Sequence, residues 1–154
     1  MLEMAEFNIK EYEIFDAENK ILGRLSSVVA KRLLLGKKIA IINADKAVIS
    51  GNRNFIVEKY KTRLNLMEKE NPEHSPYWPR RPDMLVKRII RGMLPYNKPH
   101  GKTAYRNLRV FMGKPPAFAS AKISAMESKD PNKLYVSHMT IGELSELLGY
   151  DYNR

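Results

Sequence analysis

A strand, a helix and a second strand follow one another in the first third of the chain, and this order constrains the fold more than any other feature. Residues 12–16 read as a short strand, and residues 39–42 form a continuous apolar run. A short apolar run of this kind is typical of a strand covered on both faces, as in a parallel sheet. The segment between the strands has apolar residues at helical spacing, namely Leu22, Leu25, Val29 and Leu33. Gly36 ends this helix, and the order strand, helix, strand predicts a right-handed crossover in an α/β domain.

Further segments complete the predicted order of elements. They are a short extended piece at 48–49, a helix over 52–68, an irregular proline-containing arm over 72–82, a helix over 83–93 capped by Asp83, a helix over 101–107, a strand over 108–112 and at most a short extended piece at 134–136. The helix over 52–68 is predicted from five apolar residues, Phe55, Ile56, Tyr60, Leu64 and Met67.

The clearest helix signals lie near the end of the chain. Thr140 and Glu143 form a capping box, Met139 and Leu144 can form the hydrophobic staple around it, and Gly149 stops the helix. A chain of 154 residues is about one domain. We therefore expect a single domain over 1–154, with an α/β core over 12–114 that includes a basic segment over 74–114, and a C-terminal extension over 115–154 that ends in a helix.

Almost all of the excess positive charge lies between His74 and Lys114. This stretch contains ten Lys and Arg residues and one acid, Asp83, whereas the rest of the chain has 17 Lys and Arg against 16 Asp and Glu. A near-neutral body that carries a concentrated polycation favours a polyanionic partner, of which RNA or DNA is the commonest. A basic face kept for solubility would spread its charge more evenly.

Three predicted helix starts carry a cation and no acid in the first turn. The cations are Arg24, Arg53 and Lys102, and the glycines just before them are Gly23, Gly51 and Gly101. Helix N-termini normally attract Asp or Glu, so a cation there is favourable only if a phosphate joins it and the free backbone N–H groups. Because glycine has no side chain, that phosphate could approach the backbone closely. The alternative is that the helix boundaries differ by a few residues and the cations lie in solvent.

The predicted helix over 83–93 divides its residues between two arcs. The apolar arc holds Leu85, Val86, Ile89, Ile90 and Met93, and the opposite arc holds Lys87, Arg88 and Arg91. No acid stands four residues after any of these cations, which favours a phosphate backbone as their partner over a merely solvated face.

Tyr77 and Trp78 stand beside Arg80 and Arg81 in the proline-containing arm. Aromatic rings next to arginines can stack on unpaired bases. A lone tryptophan in a small domain can equally pack against its own core. The sequence leaves both alternatives open.

No motif for catalysis, a metal or a cofactor is visible. The absence of cysteine excludes disulfides, a thiol nucleophile and cysteine zinc sites, and the histidines at 74, 100 and 138 are not at ligand spacing. The Gly-Lys-Thr at 101–103 is not a phosphate-binding loop, because its required first glycine falls on Tyr96. The N-terminus lacks a secretory pattern and no segment has roughly 20 apolar residues, so we expect a soluble, cytosolic protein without membrane contact.

An ordered set of short motifs resembles the universal large-subunit ribosomal protein thirteen family, in its archaeal form. The motifs are Ile-Leu-Gly-Arg-Leu-Ser-Ser at 21–27, Ile-Asn-Ala at 42–44, Ile-Ser-Gly at 49–51, Arg-Gly-Met-Leu-Pro at 91–95 and Leu-Arg-Val-Phe at 108–111 with Gly113. Order and spacing match over about residues 14–116. The bacterial insertion after the second helix and the eukaryotic C-terminal helical extension are both missing.

The resemblance implies a three-layer α/β/α domain around a small, mainly parallel sheet and no catalysis. It also implies a cytoplasmic protein of the large ribosomal subunit that binds and stabilises its ribosomal RNA, next to other large-subunit proteins and without a small-molecule substrate. The family's RNA-contacting motifs fall on Gly23, Arg24, Ser50, Gly51, Arg53 and the stretch over 88–100. With the other cations of the basic segment, the predicted RNA-binding residues also include Arg80, Arg81, Lys87, Arg88, Arg91, Lys98, His100, Lys102 and Arg106.

Two other classes of function remain open from the residues. One is a free-standing regulator that binds a messenger RNA, and the other is an RNA-processing enzyme with an α/β core. An enzyme would need a deep pocket with convergent titratable groups, whereas a structural RNA-binding protein needs a basic surface.

Overall fold

The computed structural model describes residues 11–118, 123–124 and 137–152. The strands are β1 (Tyr12–Asp16), β2 (Lys38–Ile42), β3 (Val48–Ser50), β4 (Leu108–Val110) and β5 (His138–Thr140). The helices are α1 (Leu22–Leu34), α2 (Arg53–Asn65), α3 (Pro82–Gly92), α4 (Pro99–Arg106) and α5 (Ile141–Leu147). The extended piece predicted at 134–136 lies outside the described residues.

The central sheet is parallel, as the sequence predicts. β2 lies in the middle, with β1 and β4 on its two sides. In the register, Phe15 pairs with Ile41 and Ile39 pairs with Leu108. All four side chains are buried, because the connecting helix α1 packs over this face of the sheet. The α/β fold with a mainly parallel sheet is confirmed.

The two faces of the sheet are covered differently. Every helix contributes to the main core on the first face, with the representative residues Leu25, Ile56, Leu85, Ala104 and Leu144. On the second face, Ile14, Ala40 and Ile42 form a smaller cluster with Phe118. Within the described part of the chain, Phe118 of the 3-10 turn Pro116–Phe118 covers that face, and a parallel bridge from Ile14 to Ile123 lies at the β1 edge of the sheet.

A second, two-stranded sheet joins the C-terminal residues to the first half of the chain. β3 and β5 pair antiparallel, with Ile49 opposite Met139. The parallel bridge between Ile21 and Val48 places the start of α1 beside β3. Met139 and Ile141 are buried in the main core, so the residues around β5 share the core of the preceding elements.

Several boundaries differ from the predictions. α2 ends at Asn65, where Leu66 turns extended, and two of the apolar residues from which the helix was predicted, Phe55 and Met67, are 65% and 71% exposed. β4 ends at Val110 and not at 112. The arm over 72–82 also contains a 3-10 turn, Pro72–His74.

A proline residue sets the start of α3 and of α4. α3 begins at Pro82 and α4 at Pro99, because proline fits the first helical position and its missing N–H costs nothing there. The N-cap of α3 is therefore Arg81, and the prediction that Asp83 caps this helix is wrong.

The predicted ends of α1 and α5 are confirmed. The Thr140 hydroxyl accepts a hydrogen bond from the Glu143 N–H at 3.2 Å. Gly36 and Gly149 follow α1 and α5 with φ of 83° and 86°, which is the left-handed conformation that glycine adopts without strain. Met139 and Leu144 are both buried in the main core, as the predicted staple requires.

Candidate nucleic-acid interface

α3 separates a buried arc from a basic one. Leu85, Val86 and Ile90 are at most 1% exposed, so the apolar arc packs into the main core. Ile89 is half-buried against that core. Met93 is 43% exposed, and the prediction that it faces the core is wrong because the helix ends at Gly92, before this residue.

Each cation on the basic arc lies over an aromatic ring. Arg91 is 4.0 Å from the ring centroid of Tyr96, measured from its guanidinium carbon. The Lys87 ammonium is 5.1 Å from the Tyr105 centroid, and the Arg88 guanidinium carbon is 5.2 Å from that of Trp78. Attraction to the ring quadrupole holds each cation in place. The basic arc is thus an array of oriented charges and not a set of freely moving side chains.

Trp78 packs against its own chain. Its ring meets that of Tyr60 edge to face at 6.3 Å, and the Arg63 guanidinium carbon lies 4.6 Å from its centroid. Of the two alternatives for this tryptophan, packing against the protein's own core is therefore the one that the structure shows. Its neighbour Tyr77 is 83% exposed, which leaves its ring accessible for stacking.

Outside the basic segment, carboxylates pair with four of the described cations, namely Arg32, Lys37, Lys38 and Lys46. Glu13 binds both Arg32 and Lys37, and the hydrogen bond from Lys37 is the main cause that lowers the pKa of Glu13. Within the basic segment, Arg81 pairs with Asp83 through two hydrogen bonds of 2.9 and 2.8 Å. Within 11–118, 123–124 and 137–152, no salt bridge is formed by Arg80, Lys87, Arg88, Arg91, Lys98, Lys102, Arg106 or Arg109.

Lys87 lies in a half-buried, crowded place. Burial lowers the pKa of the Lys87 ammonium most, the nearby Arg109 guanidinium lowers it further, and Asp83 opposes both. Crowded like charges of this kind are unfavourable in the free protein. A bound polyanion would relieve their repulsion.

The structure distinguishes the three basic helix starts. None has an acid in its first turn. At α1, the N-cap Ile21 offers no side-chain hydrogen bond, and a Cβ added to Gly23 would meet nothing within 4 Å. At α2, the Asn52 side chain already accepts from the Asn54 N–H, and the Gly51 N–H donates to the Ser137 carbonyl. The start of α1 is therefore the most open to an external anion.

The packing of the backbone, and not access for a phosphate, accounts for Gly101. A Cβ at this position would lie 2.1 Å from the Pro95 carbonyl oxygen, so glycine is required by a close backbone approach inside the protein. Because α4 begins at Pro99, Lys102 lies beyond the first three helical residues, and the N-cap is itself a cation, Lys98.

The predicted site residues lie in separate places on the surface. Two sets of predicted residues lie near β3. Gly23 and Arg24 are at the start of α1, which is bridged to β3, and the segment from Ser50 to Arg53 begins at the last residue of β3. Arg80 and Arg81 border a groove that also includes Tyr150, near the end of α5. Four further predicted residues are exposed at or on α4, namely Lys98, His100, Lys102 and Arg106. Lys87, Arg88 and Arg91 form the array on α3.

Two residues beside the array, Arg63 and Tyr105, were missed from the sequence, whereas Tyr96 falls in the predicted stretch over 88–100. Arg63 stacks on Trp78 from outside the basic segment, and Tyr96 and Tyr105 hold Arg91 and Lys87. Tyr96 and Tyr105 also meet edge to face at 5.4 Å. Arg63 had one signal, its position three residues after Tyr60 on the same helix face.

Metal clusters and membrane-spanning helices are both absent from the described residues. In the part of the chain that the structure describes, no three His, Asp or Glu residues gather as metal ligands. No helix among the same residues is long and apolar enough to cross a membrane.

Comparison with known proteins assigns the family. The model of the family "Ribosomal protein L13" matches residues 10–117. "Large ribosomal subunit protein uL13" of Methanopyrus kandleri is 42% identical over 144 residues, which cover 92% of this chain and 89% of the relative. The protein of the same name from Methanosphaera stadtmanae is 46% identical over 137 residues, or 88% of this chain and 96% of the relative. The chain belongs to the ribosomal protein L13 family.

Proposed function

We propose that this protein is a structural constituent of the large ribosomal subunit that binds and stabilises large-subunit ribosomal RNA. The observation that carries the proposal is the array on α3, where Lys87, Arg88 and Arg91 lie over aromatic rings without a described carboxylate partner. Family membership supplies the ribosomal context. The protein would act in the cytoplasm, beside other large-subunit proteins, and as a binding protein rather than an enzyme.

The array suits a phosphate backbone because its charges are oriented before binding. A free arginine loses side-chain entropy when it is fixed on a phosphate. Arg88 and Arg91 are already fixed by ring contacts, so less is lost on binding. Each phosphate contact also releases counterions from the RNA.

The open start of α1 is a second proposed contact. Gly23 leaves the first turn of the helix accessible, and Arg24 adds a charge at the same point. A phosphate would receive the free N–H groups and the guanidinium together. Arg53 at α2 and the α4 residues Lys98, His100, Lys102 and Arg106 are proposed as further contacts on the strength of their charge and exposure.

Sucrose-gradient sedimentation of cell extract tests the proposal. A structural constituent travels almost entirely with large subunits, whereas a free-standing regulator of one messenger RNA remains largely in the light fractions. The test separates these classes without any assumption about which residues bind. A wild-type chain found mainly in the light fractions would overturn the proposal.

A further inference from the structure

We propose that a groove between the proline-containing arm, α3 and Tyr150 holds one unstacked nucleotide of single-stranded RNA. The inference deepens the proposed function and rests on it. Its platform is Tyr77, its apolar floor is Leu64 and Met84, and its rim carries Arg80.

The size and lining of the groove fit a nucleotide. Its volume is about 680 Å³, within the usual range for small-ligand sites. Met84 in the floor is 47% exposed and Tyr77 beside it is 83% exposed, although both are large apolar side chains. Among the described residues, no aromatic ring pairs with Tyr77. An unoccupied ring at the mouth of a groove is a stacking platform that accepts any base.

The rim of the groove selects an anion. Arg80 has no salt bridge within the described residues, and its Nη1 lies close to Gly149, 3.7 Å from the point where a Cβ would be. Arg81 is neutralised and oriented by Asp83, but its two hydrogen bonds leave other guanidinium N–H groups unused. A base on Tyr77 would therefore have a cation beside it for its own phosphate. An acidic peptide would use the charge but not the flat ring.

Ring contacts hold one wall of the groove. Trp78 is held by Tyr60, Arg63 and Arg88, so the arm cannot collapse onto the floor without breaking these contacts. A groove that is already open requires little reorganisation on binding. Trp78 is also the one tryptophan of the chain, and its fluorescence reports on this groove and on the adjacent Arg88 contact, which a probe without bases distinguishes.

The test uses the full chain and a labelled single-stranded adenosine oligonucleotide of about eight nucleotides, a typical length for such sites. Fluorescence anisotropy measures affinity, and Trp78 emission shows whether the groove is occupied. Tyr77→Ala should weaken binding roughly five- to 150-fold, whereas Tyr77→Phe should stay within about twofold of wild type. Phe55→Ala is the matched control, because Phe55 is another exposed aromatic residue, outside the groove.

Inorganic polyphosphate serves as the probe without bases. The oligonucleotide should change Trp78 emission to saturation, and polyphosphate should change it much less. Equal changes, or equal affinity of Tyr77→Ala and wild type, would overturn the groove proposal. If wild type still sediments with large subunits in that case, the proposed function stands. If it does not, the proposed function fails whatever the oligonucleotide shows.

Discussion

Arg88 lies over the ring of Trp78, with its guanidinium carbon 5.2 Å from the ring centroid. This relationship joins α3 to the proline-containing arm. Arg63 of α2 contacts the same ring at 4.6 Å, so two cations from two helices converge on one aromatic residue. The contact stabilises the arm and orients the charge of Arg88 at the same time.

Charge reversal on α3 tests the basic arc. The double variant Arg88→Glu with Arg91→Glu should sharply reduce incorporation into large subunits, because it places two negative charges against phosphates. Loss of two ring contacts should lower the free energy of unfolding by only about 1–2 kcal/mol. Lys31→Glu with Lys69→Glu is the control of equal charge change on exposed residues outside the proposed interface. Normal assembly of the Arg double variant would contradict the assignment of this arc to RNA.

The buried arc of α3 should govern stability. Ile90 is 0% exposed, so Ile90→Ala should lower the free energy of unfolding by about 2–5 kcal/mol through a cavity in the core. Met93→Ala should change it by less than about 1 kcal/mol, because Met93 is 43% exposed. Urea denaturation of the two variants measures both values. If both variants lost the same free energy of unfolding, Met93 would have to be packed in the core and not exposed.

Gly101 should tolerate no side chain. Gly101→Ala places a Cβ against the Pro95 carbonyl oxygen, and relief of that overlap should cost about 1–3 kcal/mol or more. Gly23→Ala is the matched change in an open helical position, and we expect it to be neutral or stabilising by up to about 1 kcal/mol. Thermal denaturation compares the two. A stable Gly101→Ala variant would refute the close backbone approach.

The cap of α5 should contribute to stability independently of RNA. Thr140→Ala removes the hydroxyl that accepts from the Glu143 N–H, at an expected cost of about 0.5–2 kcal/mol. Thr140→Ser retains the hydroxyl and should recover most of that loss. Salt-dependent RNA binding should be the same in all three proteins. A fall in RNA affinity at unchanged stability would mean that Thr140 has a different role.

Glu13 should make stability depend on acid pH. Its pKa in the folded protein is lowered, mainly by the hydrogen bond from Lys37, so its stabilising effect is present above the unfolded pKa of about 4.5. The effect is lost as the pH falls through the lower, folded pKa. Glu13→Gln should therefore be less stable than wild type at pH 7, by up to about 1 kcal/mol for a partly exposed pair. The difference should shrink by pH 3, and denaturation at both pH values checks it.

Local patterns predicted the elements that follow from short-range physics. The spacing of Leu22, Leu25 and Leu33 predicted α1, and Thr140 with Gly149 predicted the bounds of α5, since both signals depend on neighbouring residues. The motifs that resemble the family are also short runs of neighbouring residues. α2 was predicted too long because Met67 keeps the helical spacing beyond Asn65 but has no core to face.

The sequence alone thus determined the parallel α/β order, the basic segment between His74 and Lys114, and the family. Only the tertiary structure decided that β3 pairs with β5 about 90 residues later, that Gly101 packs on Pro95, and that Arg63 shares Trp78 with Arg88. The physical reason is the same for all three. Periodicity and composition report how a segment meets water or the core, whereas the partner of a three-residue strand, a glycine or a ring is set by which distant segments the whole core brings together.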